Sequence, residues 1–305
     1  MDNRHLQSLT ESRPGGWLAR ARSSLFAVPA DKVNSRAVVW WHLLLCAIAA
    51  LNVVVWSLSA IAVTRASAVN PAEAAANHLQ LLLCAAYVFG CAFRSVLPVY
   101  DIPRIVLVDS RLSSIIVGRS VATIAELCFA AQWALILHRM ALVSDSLPVR
   151  TVSLVIVPLI VLAEGCSWYA VLTTAQRAHA LENSIWGVSA ALVVGCLLIL
   201  EPHRVAGLHL PMMAWCVGGA AYVAYIFLFD APAYWSRWLA DLANGHHDLS
   251  IAQGVLDACR RRIVSYRWES WKNEMLWMSL YFTLGVWSSV SIVYASIILG
   301  AQSVS

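Results

Sequence analysis

The chain has 305 residues, 60% of them hydrophobic and 12% charged, with a net charge of +4 and a mean hydropathy of +0.69. A soluble domain carries about a quarter charged residues, so the composition excludes an ordinary soluble globule, and no nucleic-acid partner is expected. Only helices and closed barrels pair every backbone group inside lipid, and the apolar runs here are longer than the roughly ten-residue alternating strands of a barrel. The expected fold class is all-α: a polytopic membrane protein with seven transmembrane helices.

Residues 1–37 form a basic arm carrying Arg4, Arg13, Arg20, Arg22, Lys32 and Arg36. The apolar run that begins at Val38 is too long for the core of a cleavable signal. Trp17 to Val28 has the pattern of a short interfacial helix, with a disordered arm as the equal alternative. A membrane domain, 38–300, follows, its spans each near the 20 residues that cross a bilayer. They are placed at 38–63, 78–97, 120–143, 151–175 (kinked at Pro158), 184–200, 210–229 and 273–299. A long basic loop occupies 230–272.

Lysine and arginine divide 17 to 4 across these spans. The positive-inside rule then puts the N-terminus in the cytoplasm and the C-terminus outside. The membrane is the cell membrane in a bacterium and an endomembrane otherwise. Residues 98–118 interleave Ile102, Ile105, Val106, Leu107 and Val108 with Asp101, Arg104, Asp109 and Arg111, the pattern of an amphipathic segment lying on the inner leaflet. Ile251 to Glu269 reads as a second such stretch, with Arg260, Arg261, Arg262 and Arg267. Anionic headgroups of membrane lipids are the expected partners; a homo-oligomer or a membrane partner stays open.

Seven of the eight cysteines lie in apolar runs and Cys259 lies in a basic loop. No CxxC occurs, so neither a zinc knuckle nor a redox pair is indicated. Trp40, Trp41, Trp186, Trp235, Trp238, Trp268 and Trp271 fall where interface belts are expected. Trp168, Trp215, Trp277 and Trp287 fall deeper.

The chemistry-bearing residues are the ionisable ones inside the spans, which are costly in lipid and face a bundle interior or an aqueous cavity. Helical spacing puts Arg119, Thr123 and Glu126 on one stripe of the third span, and Glu164 and Ser167 on one face of the fourth. His179 and Glu182 follow at i, i+3, and Glu274, Trp277 and Tyr281 share a stripe in the seventh. Two readings stand. In the first, a cavity open to the cytoplasmic side uses Glu126, Glu164, His179, Glu182 and Glu274 for acid–base chemistry, and Arg94, Asp101, Arg104, Arg119, Ser167, Trp168, Trp277 and Tyr281 hold a headgroup. In the second, the groups pair for structure, Glu126 with Arg119 or a serine and Glu182 with Arg177.

No metal site is assigned, because the di-iron ExxH order is reversed here and His246, His247 and Asp248 read as a solvated loop. The cofactor is unknown, and whether the chain is an enzyme is left open. The leading expectation is an intramembrane enzyme or binding protein for a lipid or other apolar substrate. The alternatives are a proton-coupled transporter and a non-catalytic scaffold. Transport requires polar groups in both halves of the bundle, and the outer half offers only His78, His138, Glu201 and His203.

Overall fold

The computed structural model describes residues 30–200, 207–245 and 247–302. The arm's interfacial-helix stretch, Glu201, His203 and His246 lie outside the described residues. Helix α1 spans Ala30–Val69 and α2 spans Ala74–Val96, preceded by a 3-10 turn at Pro71–Glu73. Strands β1 (Val99–Tyr100) and β2 (Ile105–Val106) and a 3-10 turn at Arg111–Ser113 lead to α3 (Ile115–Ser144), α4 (Leu147–Thr173) and α5 (Gln176–Ile199). Then come α6 (His209–Tyr225), a π-helical turn (Ile226–Asp230) and α7 (Ala231–Ala243). Helix α8 (Ile251–Arg260), β3 (Ile263–Val264), α9 (Trp268–Leu280), a second π-turn (Tyr281–Gly285) and α10 (Val286–Gln302) complete the chain.

Seven helices are long and apolar enough to cross a membrane: Ser35–Val69, Pro71–Val96, Ile115–Ser144, Leu147–Thr173, Gln176–Ile199, His209–Ala243 and Trp268–Gln302. We call these spans one to seven. Their packing inverts that of a soluble protein. Leu44, Leu58, Leu82, Leu162, Leu198 and Val217 are exposed, while Asn77, Gln80, Arg119, Gln132, Glu164 and Ser289 are buried. That distribution suits a bundle whose solvent is hydrocarbon.

Local signals fix the helix ends. Ser114 caps α3, its side chain accepting from Val117 N at 3.2 Å, the usual way to satisfy an orphan N–H of a first turn. Asp145 and Thr174 take left-handed conformations and end α3 and α4. Helix α4 runs through Pro158. Ser250 and Gln253 form a capping box on α8.

The loops at one end differ from the amphipathic surface segments that their sequence pattern implies. Residues 98–118 fold inward, with Val99, Ile105, Val106, Leu107 and Ile115 buried. The stretch Ile251 to Glu269 divides into α8, a strand and the first turn of α9. β2 pairs antiparallel with β1 and parallel with β3, giving the order β1-β2-β3. Together with α8 this small sheet caps the bundle. Arg104 is its pin: buried, with φ +73, its Nε donates to Asp257 at 3.0 Å and its carbonyl accepts from Ile263 N at 2.8 Å. α8 rests on span four, where Leu249 N donates to Thr173 O at 2.9 Å. Gly254 lies so close that a Cβ would meet Leu172 O at 1.9 Å.

The expected basic loop at 230–272 is shorter in fact, because α7 extends span six to Ala243. Three of the tryptophans that fit interface belts pack inside. Trp271 is fully buried, donates to Ser265 O at 2.8 Å and packs on Trp41, with ring centroids 5.6 Å apart. Trp186 packs against the core of spans three to seven. Their indole N–H groups or flat faces find partners in the bundle, which outweighs the headgroup layer.

Candidate functional site

Because Ser114 starts α3 at Ile115, Arg119 sits a full turn inside the helix and is 5% exposed. It forms the hub of the buried charge rather than the rim that its sequence position implies. Its NH2 donates to Glu126 Oε2 at 2.8 Å and to Glu164 Oε2 at 2.6 Å, and its NH1 lies 3.9 Å from Glu182 Oε1. At a 1.5 Å rise per residue, Glu126 lies about 16 Å into α3 and Glu164 about 14 Å from the end of α4. The two carboxyls therefore meet at one guanidinium nitrogen.

A second ring of contacts orients these carboxyls. Thr123 Oγ1 donates to Glu164 at 2.6 Å and accepts from Trp168 Nε1 at 3.0 Å. Tyr281 OH donates to Glu126 Oε1 at 2.9 Å. His179 Nδ1 lies 2.8 Å from Glu182 Oε2, and its ring lies 5.1 Å from that of Tyr234. Three buried atoms in the cluster have no partner: Arg119 Nε, Glu164 Oε1 and Ser167 Oγ. In a native structure such atoms mark functional or hydrated places.

A half-buried shell continues toward the cap. Glu274 and Arg237 lie near Tyr100. Burial pushes the Tyr100 hydroxyl above its ordinary range; the Glu274 charge adds to this and Arg237 opposes it. Arg237 lies over the Tyr234 ring at 4.9 Å, and Asn183 donates to Asp230 at 2.6 Å. Trp277 stacks on Tyr225 at 5.6 Å and on Tyr222 at 6.2 Å. Arg94 Nε and Asp101 Oδ1 are buried and unpartnered in this shell.

Of the residues singled out from sequence, Glu126, Glu164, Glu182, His179, Arg119, Ser167, Trp168 and Tyr281 thus come together. Glu274, Trp277, Arg94 and Asp101 stand in the adjoining shell. Arg104 is elsewhere, committed to Asp257 in the cap. Arg177 pairs with Asp248 at 3.6 Å rather than with Glu182. Among the described residues no group of three or more His, Cys, Asp or Glu is arranged to hold a metal ion. The void beside the cluster, between Gly90, Cys91, Arg94 and Tyr281, leaves no room for a water-sized sphere.

Both π-turns adjoin this site. One ends at Asp230, beside Asn183, and the other begins at Tyr281. A glycine makes room at each: the Phe227 ring of the first lies on Gly187, and the Tyr87 hydroxyl lies on Gly285 of the second, where a Cβ would meet it at 2.6 Å. π-turns inside helices concentrate at functional sites.

The other half of the bundle is not plain, contrary to its count of ionisable groups. Glu73 receives Arg139 NH2 at 2.5 Å, and Arg139 NH1 donates to Ser296 Oγ at 2.6 Å. Ser296 donates to Asn77 Oδ1 at 2.8 Å. At mid-bundle, Gln80 and Gln132 exchange side-chain to backbone bonds at 3.2 Å, and Ser289 donates to Gln132 Oε1 at 2.5 Å. The overlooked signal was amide and hydroxyl spacing. On span two Glu73, Asn77, Gln80, Cys84, Tyr87, Cys91 and Arg94 recur every three or four residues.

Compared with known proteins, the chain matches no family model, no curated protein and no solved structure.

Proposed function

We propose that the chain is a proton-coupled membrane transporter whose Arg119 cluster takes up and releases the coupling proton. One observation carries this reading: Glu126 and Glu164, buried in the bundle, both accept from a single Arg119 nitrogen. Two ionised carboxylates drawn to one nitrogen repel, and a proton taken up by one of them relieves the repulsion. The charge balance supports the same conclusion. One guanidinium faces the three carboxyls of Glu126, Glu164 and Glu182.

An intramembrane enzyme acting on a lipid would use the same carboxylates. Transport needs polar groups in both halves of the bundle, and the chain from Gln80 to Arg139 supplies them. The orphan atoms of Arg119, Glu164 and Ser167 favour a second reading, in which a small polar ligand is bound there for acid–base chemistry. In either case the 17-to-4 charge bias supports a cluster near the cytoplasmic side, with the N-terminus inside, the C-terminus outside and anionic headgroups near Arg260, Arg261 and Arg262.

The test is infrared spectroscopy of the reconstituted protein at neutral pH. A protonated-carboxyl band that shifts in D2O is expected in the wild type and is expected to vanish in both Glu126→Gln and Glu164→Gln. A wild type without the band at neutral pH overturns the proposal.

A further inference from the structure

A cavity of about 190 Å3 lies at the cap end of the bundle, between the end of α7 and the first turn of α5. Helical spacing puts Trp238, Asp241 and Leu242 of α7 on one face, and all three line it. Arg177 of α5, His247 and Asp248 complete the lining. Gly245, at φ +66, turns the chain off α7. Leu249 N then donates to Thr173 O at 2.9 Å, which anchors the returning loop on span four. The cavity shares no residue with the Arg119 cluster.

The charges of the lining do not cancel. Arg177 NH2 lies 3.6 Å from Asp248 Oδ2, an ion pair too long for a hydrogen bond. Asp241 is half-buried and, among the described residues, makes neither a hydrogen bond nor an ion pair. Arg237, one turn before it, lies over the Tyr234 ring instead. With Arg177 set against Asp248, one uncompensated carboxylate remains beside an indole. An aromatic face with a negative charge nearby is what a quaternary ammonium group needs. A primary ammonium has three protons to donate, and a metal ion needs several ligands; one free carboxylate suits neither. An anion would meet two aspartates. The volume falls below the about 300–1,000 Å3 of pockets for drug-sized ligands, so the fit is to a head group.

We propose that this cavity binds a quaternary ammonium group, with Trp238 offering its ring and Asp241 its charge. The group belongs to a free choline-like cation or to the headgroup of a choline lipid. Leu239 and Leu242 are exposed on α7, so a lipid tail can lie alongside. The site is one of binding alone, and it does not depend on the proton chemistry of the Arg119 cluster.

The experiment uses the full chain in phosphatidylglycerol nanodiscs, with radiolabelled choline as the probe in equilibrium dialysis. Saturable binding above that of empty discs is expected, displaced by tetramethylammonium and not by inorganic phosphate or magnesium. Asp241→Asn and Trp238→Leu are each expected to weaken it about tenfold without moving the thermal midpoint. Arg177→Gln removes the opposing cation and frees Asp248, so it is expected to tighten binding. Asp109→Asn, which takes a carboxylate from the Arg262 pair in the cap, should leave binding unaltered. Phosphatidylcholine added to the discs separates the two sources. It expels labelled choline if a lipid headgroup fills the cavity and leaves it bound if the ligand is a free cation. Absence of saturable binding, displacement by phosphate or magnesium, or unaltered binding in both Asp241→Asn and Trp238→Leu overturns the site.

Discussion

At the scale of the residue, Arg119 decides how three carboxylates coexist inside one bundle. Removing one member of a buried ion pair costs about 3–5 kcal/mol, because the charge left behind is unpaired. Arg119→Leu is therefore expected to lower the thermal midpoint in detergent sharply, or to reduce the folded yield. Adding Glu164→Gln to it should recover part of the loss, since one uncompensated carboxylate disappears; strict additivity in a double-mutant cycle would contradict the shared geometry. Much of this cluster was legible in the spacing of Arg119, Thr123 and Glu126 and of Glu164 and Ser167. What misled was the helix start. Gly118 and Arg119 interrupt the apolar run, so the third span seems to begin after them, although Ser114 is an ordinary cap signal ahead of Ile115. Placing α3 one turn earlier moves Arg119 from the rim to the centre.

At the scale of the element, long helices were legible and short pairings were not. A run of apolar residues announces a span by itself. The cap, by contrast, joins β2 at Ile105–Val106 to β3 at Ile263–Val264, two-residue strands far apart in the chain and too short to carry a period. The Gly254 contact is equally silent in sequence, since it depends on the backbone of Leu172. Gly254→Ala forces its Cβ into that carbonyl, and neither backbone can yield cheaply. The expected outcome is a lifted α8 with faster proteolysis around residues 244–262, while the resistant seven-span bundle survives; an unchanged digestion pattern would show that α8 does not need this contact. Gly285→Ala addresses the second π-turn. Tyr87 is stacked on Phe129 at 4.5 Å and has little room to retreat, so its edge-on contact with Tyr281, with ring centroids 5.9 Å apart, should be displaced. The measurement is the tyrosine C–O stretching band in the infrared, which is expected to change in Gly285→Ala as it does in Tyr281→Phe.

At the scale of the whole molecule, the bundle has two polar ends of different character, and its orientation decides from which side the Arg119 cluster is reached. The basic cap is expected in the cytoplasm on charge count alone. The chain carries its own reporter for this. Cys259 is exposed, at the end of α8 beside Arg260, whereas the other seven cysteines are buried or half-buried within the spans. A membrane-impermeant maleimide should leave intact cells unlabelled and label the protein once the membrane is opened, and Cys259→Ser should abolish that label. Labelling of intact cells through Cys259 would reverse the orientation. The Arg119 cluster would then open toward the exterior and the Glu73–Arg139 pair toward the cytoplasm. The bonds of the cluster would be untouched by that result, because they lie within the bundle, but the side from which its proton is taken up would change.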